Sequence, residues 1–164
     1  MDRLETRGNR MNVFLAIVSL AAYRAFLSLG FNKEYATELI SDLGWKLYIN
    51  MVKLPRFIAR LLYRDPQKQM TFFLKLWMKF PFSTLGYKSK AWAEVDCFCI
   101  DWSECPPFEA IKNNGTDEEV EFFYNTWCLY DYAVAKEMVK GGYFKRKNCL
   151  SKGDQVCDMR SHGS

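Results

Sequence analysis

Three cysteines and two aspartates near the C-terminal end of this chain have the types and spacing to do chemistry. Cys105 precedes Pro106 and follows Asp101-Trp-Ser-Glu. Cys128-Leu-Tyr-Asp131 puts a thiol and a carboxylate three residues apart, and Gly153-Asp154-Gln-Val-Cys157 repeats the pair in reverse order. Residues three apart on a helix share a face, so Cys128 and Asp131 look the same way. Asp131 is the unexpected member, because it falls on the apolar stripe of its helix. A carboxylate there is costly unless it is paired, ligated or protonated. A structural pair with Arg146 is the plain alternative.

Thiols with carboxylates suit two chemistries. One is nucleophilic attack by a thiol with a carboxylate as proton shuttle. The other is a soft metal site in which cysteines hold an ion such as zinc. No Cys-x-x-Cys pair gives zinc-finger spacing, and the sequence by itself requires no cofactor. The single histidine, His162, sits two residues from the end, in a tail expected to fray. That argues against a triad built on it. P-loop, GxGxxG and HExxH patterns are absent, so nucleotide and zincin readings have no support. Cys97 and Cys99 read as strand-face core, and Cys149 has no assignable role.

The elements that must position these groups follow from periodicity. A first helix runs over 12–29, stopped by Gly30. Leu39, Ile40, Leu43 and Leu47 mark a second over 33–50. Leu54, Phe57, Ile58, Leu61 and Leu62 mark a third, with Arg56, Arg60 and Arg64 on a solvated face. Asp65-Pro66 caps a fourth carrying Met70, Phe73, Leu74 and Trp77. The period then changes to two over Trp92–Ile100, a strand. A long helix starts at Thr116, which caps it with Glu119. Its stripe is Val120, Phe123, Trp127, Cys128, Asp131, Val134, Ala135 and Met138, and Gly141-Gly142 ends it. Residues 143–150 and 155–160 form a β-hairpin about a turn at 151–154. The expected fold is α+β: N-terminal helices packed with a small antiparallel sheet, a long helix and a C-terminal hairpin. It is read as one domain over 1–164, with a helical half at about 12–80 and a site-bearing half at about 90–162.

Composition sets the bounds. The chain has 164 residues, 49% hydrophobic and 26% charged, which suits a globular domain. Aromatics reach 16%, favouring an aromatic core or pocket. A net charge of +4 with no basic-aromatic array gives no nucleic-acid footprint. The apolar run at 12–22 behind Arg3, Arg7 and Arg10 has the outline of a signal peptide. It is too short to span a bilayer, and its pattern continues past Arg24 as an amphipathic helix would. The expectation is therefore a cytoplasmic protein with six reduced cysteines, no membrane partner, and self-association open.

The ordered motifs Asp101…Cys105-Pro106, Cys128-x-x-Asp131-Tyr132, Arg146 and Leu150-x-x-Gly153-Asp154-x-x-Cys157-Asp158 resemble the L-2-amino-thiazoline-4-carboxylic acid hydrolase family. Ala22-Tyr23-Arg24-Ala25, Leu29-Gly30, Ala36 and Trp45 are similar to that family's helical first half. The resemblance covers roughly 15–160. It departs at Cys149, where threonine is expected. It implies a hydrolase that opens a small cyclic amidine. Cys105, Cys128, Asp131, Asp154 and Cys157 would be catalytic, with Arg146, Asp101 and Trp127 on the substrate. By fold analogy with small-ligand domains of the 4-vinyl reductase type, a non-catalytic ligand- or metal-binding sensor is the alternative.

Overall fold

The computed structural model describes residues 6–164. It is an α+β fold in which helices cover one face of a four-stranded antiparallel sheet. Helix α1 (Arg7–Ser28) is capped by Thr6, whose side chain accepts from the Asn9 amide. It closes before Gly30, which takes φ +87°. Helix α1 is long and apolar enough to cross a membrane by length and composition; one face packs on α5 and α2, while Phe14, Ile17 and Val18 stand exposed.

The expected second and third helices are one. Helix α2 (Lys33–Leu62) runs 30 residues straight through Pro55. Proline removes one ladder bond there, yet the apolar period carries on across it and Val52 and Ala59 bury on either side. Leu43, Leu47, Leu54, Phe57 and Leu61 of this helix stand exposed. Arg56 is not simply solvated, since its guanidinium donates to Glu137 at 3.1 Å. Helix α3 (Pro66–Trp77) begins as expected, with Asp65 accepting from the Lys68 amide and Pro66 at the first position.

A short helix α4 (Thr84–Tyr87) leads into the sheet. The single strand expected over 92–100 is a hairpin: β1 (Ser89–Ala93) and β2 (Phe98–Trp102) pair antiparallel around a turn at 94–97. Alternation across a short turn looks like one strand in sequence. Helix α5 (Pro106–Asn114) follows, then α6 (Asp117–Phe123), which opens on the capping box of Thr116 and Glu119.

The long helix expected from Thr116 is interrupted. A π-helical turn (Tyr124–Cys128) separates α6 from α7 (Tyr130–Met138). Within it, buried Thr126 donates its hydroxyl to the Phe122 carbonyl at 2.8 Å, competing with the backbone ladder. Strand β3 (Tyr143–Lys145) is shorter than expected. It pairs with β4 (Cys157–His162), and a 3₁₀ turn (Leu150–Lys152) sits in the loop between them.

The sheet order is β1-β2-β4-β3. Phe98, Ile100 and Trp102 of β2 alternate with Cys157 and Met159 of β4 on the inner face. They meet Met70, Phe73 and Trp77 of α3, Val52 of α2 and Val134 and Met138 of α7. Registry sets Trp102 opposite Cys157 and Ile100 opposite Met159, so the inner face at one end of the sheet carries a thiol beside an indole.

Candidate functional site

Four elements meet at that end of the sheet. Trp102 is the last residue of β2, and Cys105 stands at the N-cap of α5 three residues on. The π-turn presents Trp127 and Cys128, and the first turn of α7 presents Asp131. Strand β4 contributes Cys157. Together with Tyr48, Phe82, Tyr87 and Arg146 these residues line one cavity of about 60 Å³, room for a few waters or part of a small ligand. The wider spacing of a π-turn is a frequent device at functional sites.

Of the site residues expected from the sequence, Cys105, Cys128, Asp131, Cys157, Trp127 and Arg146 line this cavity. Asp154 and Asp101 do not join it. The exposed Asp154 carboxylate accepts from the Cys149 backbone N–H at 2.7 Å and closes the loop over 149–154, where Gly153 adopts φ +95°. Aspartate in a turn satisfies local amides, and this one does so. Asp101 lies on the outer side of β2 and accepts from the Arg160 guanidinium at 2.8 Å, because alternation along a strand sends it away from Ile100 and Trp102. His162 is not in a frayed tail. It is buried in β4, with Nδ1 2.8 Å from the Asp96 carbonyl and its ring stacked on Tyr143 at 4.3 Å.

The decisive residue is Cys149, whose role could not be assigned from its motif. Its buried sulfur lies behind the two thiols that line the cavity. Cys157 Sγ donates to it at 3.8 Å, Ser151 Oγ lies 3.1 Å away, and Ser151 Oγ also reaches Cys128 Sγ at 3.3 Å. Hydrogen bonds from Cys128, Cys157 and Ser151, with the Arg146 cation nearby, hold the Cys149 thiol well below the ordinary range. Cys128 and Cys157 are raised, first because each donates to Cys149 and then by burial. The three thiols form one hydrogen-bonded unit in which the Cys149 sulfur is the acceptor. Burial pushes Cys105 up to about 12, a neutral thiol.

Burial likewise pushes Asp131 up to about 7, against the pull of Arg146, and the charge at Cys149 adds to the rise. Its side chain is 23% exposed by surface area yet wholly surrounded by protein; the open part faces the cavity. Arg146 donates to Asp131 Oδ2 at 3.1 Å and to the Cys128 carbonyl at 3.2 Å, and its guanidinium lies 5.6 Å from the centre of the Tyr132 ring and 5.7 Å from that of Phe144. Burial works against this cation, and Asp131 and the thiols more than offset it. The expected anchor for a substrate carboxylate thus spends two of its donors on the site itself and positions Cys128 and Asp131. Trp102 Nε1 is buried with no hydrogen-bond partner among the described residues. An acceptor on a ligand in the cavity would satisfy it.

What the arrangement can do is clear from these roles. Neutral thiols on the cavity wall donate to a third sulfur behind them, and a carboxyl group near neutrality faces them. Those groups can serve as nucleophile, proton relay and acid in covalent addition to an electrophilic carbon. Compared with known protein families, curated proteins and solved structures, the chain matches none.

Proposed function

We propose that this protein is a hydrolase that opens a small cyclic amidine by thiol addition, L-2-amino-thiazoline-4-carboxylate being the type of substrate the sequence motifs suggest. The observation that carries the reading is the lining of the cavity: Cys128 and Cys157 on one wall, Cys149 behind them, and Asp131 beside them.

In this reading Cys128 Sγ adds to the amidine carbon while its proton passes, by way of Cys149, to the amidine ring nitrogen. Asp131, protonated near neutrality, gives its proton to the ring sulfur as the carbon–sulfur bond breaks. This leaves an S-linked isothiourea on Cys128. Water then adds to that carbon, Asp131 takes the water proton, and Cys128 leaves as a thiol, regaining its proton by way of Cys149 from the hydroxyl that becomes the urea carbonyl. One water is consumed and a carbamoyl-cysteine results, with the thiols restored. Arg146 fixes Asp131 and Cys128 throughout, and Trp102 Nε1 and the aromatic walls hold the substrate.

The test is turnover of L-2-amino-thiazoline-4-carboxylate by purified protein, with Cys128→Ser and Cys149→Ser beside the parent. The reading expects carbamoyl-cysteine from the parent and a covalent adduct on Cys128 in quenched samples. Binding of the compound without consumption by any form would support the alternative of a ligand-binding domain instead.

A further inference from the structure

A second thiol cluster lies on the opposite face of the sheet. Cys99 points away from Phe98 and Ile100 along β2, and Cys97, the last residue of the turn before that strand, brings its sulfur to the same place. Both are buried, and their sulfurs lie 2.9 Å apart. Glu94 completes the group from the far end of the turn: the turn folds so that the Glu94 amide donates to the Cys97 carbonyl at 2.9 Å, and a Glu94 oxygen lies 3.7 Å from Cys97 Sγ. The two sulfurs and one carboxylate oxygen all lie within 4.8 Å of one another.

We propose that Glu94, Cys97 and Cys99 form a zinc site with one open coordination position. Two thiolates and a carboxylate are a donor set for a borderline-soft divalent ion; magnesium or calcium would need oxygen donors. Tetrahedral zinc with sulfur at about 2.3 Å needs its two sulfurs about 3.8 Å apart, which a small side-chain rotation supplies. Both cysteines are free thiols.

The surroundings match a metal site in two further respects. Trp92 Nε1 donates to Glu94 Oε1 at 2.7 Å, which fixes one carboxylate oxygen and leaves the other toward the sulfurs. Arg160 pairs across the ladder with Cys99 and lies over the Trp92 ring at 5.0 Å, a cation that offsets the excess negative charge of three anionic ligands. Glu94 is exposed, so the fourth position opens to solvent and takes water or an incoming ligand.

The test is zinc titration of the full, reduced chain against a chromophoric chelator, with cobalt as a spectroscopic substitute. One equivalent of zinc is expected, with a thiolate-to-cobalt charge-transfer band. The Cys97→Ser/Cys99→Ser protein should lose both. Exposed Glu94→Gln, which leaves the core untouched, should weaken binding at least tenfold, and Trp92→Phe by about 10–100-fold. Cys149→Ser should keep the full equivalent, which separates this site from the thiol cavity. A parent that binds no zinc overturns the proposal. So does binding that survives the double substitution or disappears with Cys149→Ser.

Discussion

At the scale of single residues, Asp131 and Cys149 are shifted by opposite means. Burial pushes the Asp131 carboxyl up, and the donors around Cys149 pull its thiol down. For Asp131 the native pKa of about 7 lies above the ordinary 3.8, so folding favours the protonated acid. Its stabilising contribution is fully present below about pH 4 and is lost as pH rises through about 7. Asp131→Asn has no such dependence. The stability of the parent relative to this variant, measured by denaturant unfolding, should therefore fall between about pH 4 and pH 8. A constant difference would mean that Asp131 titrates normally. The same titration sets the rate: turnover should fall as pH rises through about 7, and Asp131→Asn should lose about 10²–10⁴-fold and the falling limb with it. A destabilised variant with a normal rate per folded molecule would reduce Asp131 to a structural partner of Arg146.

At the scale of elements, the site depends on a π-turn and a capped loop. The loop over 149–154 aims Cys149 through the Asp154 carboxylate and the left-handed Gly153. Asp154→Asn keeps an acceptor for the Cys149 amide and should retain activity. Asp154→Ala removes it and should cost about 1 kcal/mol of stability together with part of the rate. Loss of activity in the Asn variant at full stability would restore a catalytic role to Asp154. Gly153→Ala meets no neighbour within 4 Å, so its cost should be backbone strain alone, about 1–2 kcal/mol in thermal or denaturant unfolding.

These elements also show what could be read from the sequence. The caps at Asp65 and Thr116 and the face shared by Cys128 and Asp131 were legible because they depend on neighbours within one helical turn. The π-turn was not, since Thr126 bonding back to Phe122 leaves no mark on the apolar stripe. Nor was the role of Cys149. It comes from Cys128 and Cys157, which reach it only after the chain folds back from α7 through β3 to β4. Asp101 and Asp154 carried the right residue type in the right motif, and only their direction, outward along a strand and into a turn, removes them from the cavity.

At the scale of the molecule, one sheet separates two thiol groups. The inner face carries Cys157 with Cys128 and Cys149; the outer carries Cys97 and Cys99 with Glu94. All six cysteines are free thiols, and titration in denaturant without reductant should find six. Two or fewer would indicate a disulfide scaffold and undo both sites. The proposed thiol chemistry rests on a Cys149 thiol held well below the ordinary range by its donors. Ultraviolet thiolate absorbance against pH, on the parent and on Cys149→Ser shown to be folded by its melting transition, tests it most directly. The account predicts one thiolate per parent molecule that persists well below the ordinary thiol range and is missing from Cys149→Ser. A parent with no thiolate there, or a variant with an unchanged titration, would contradict it.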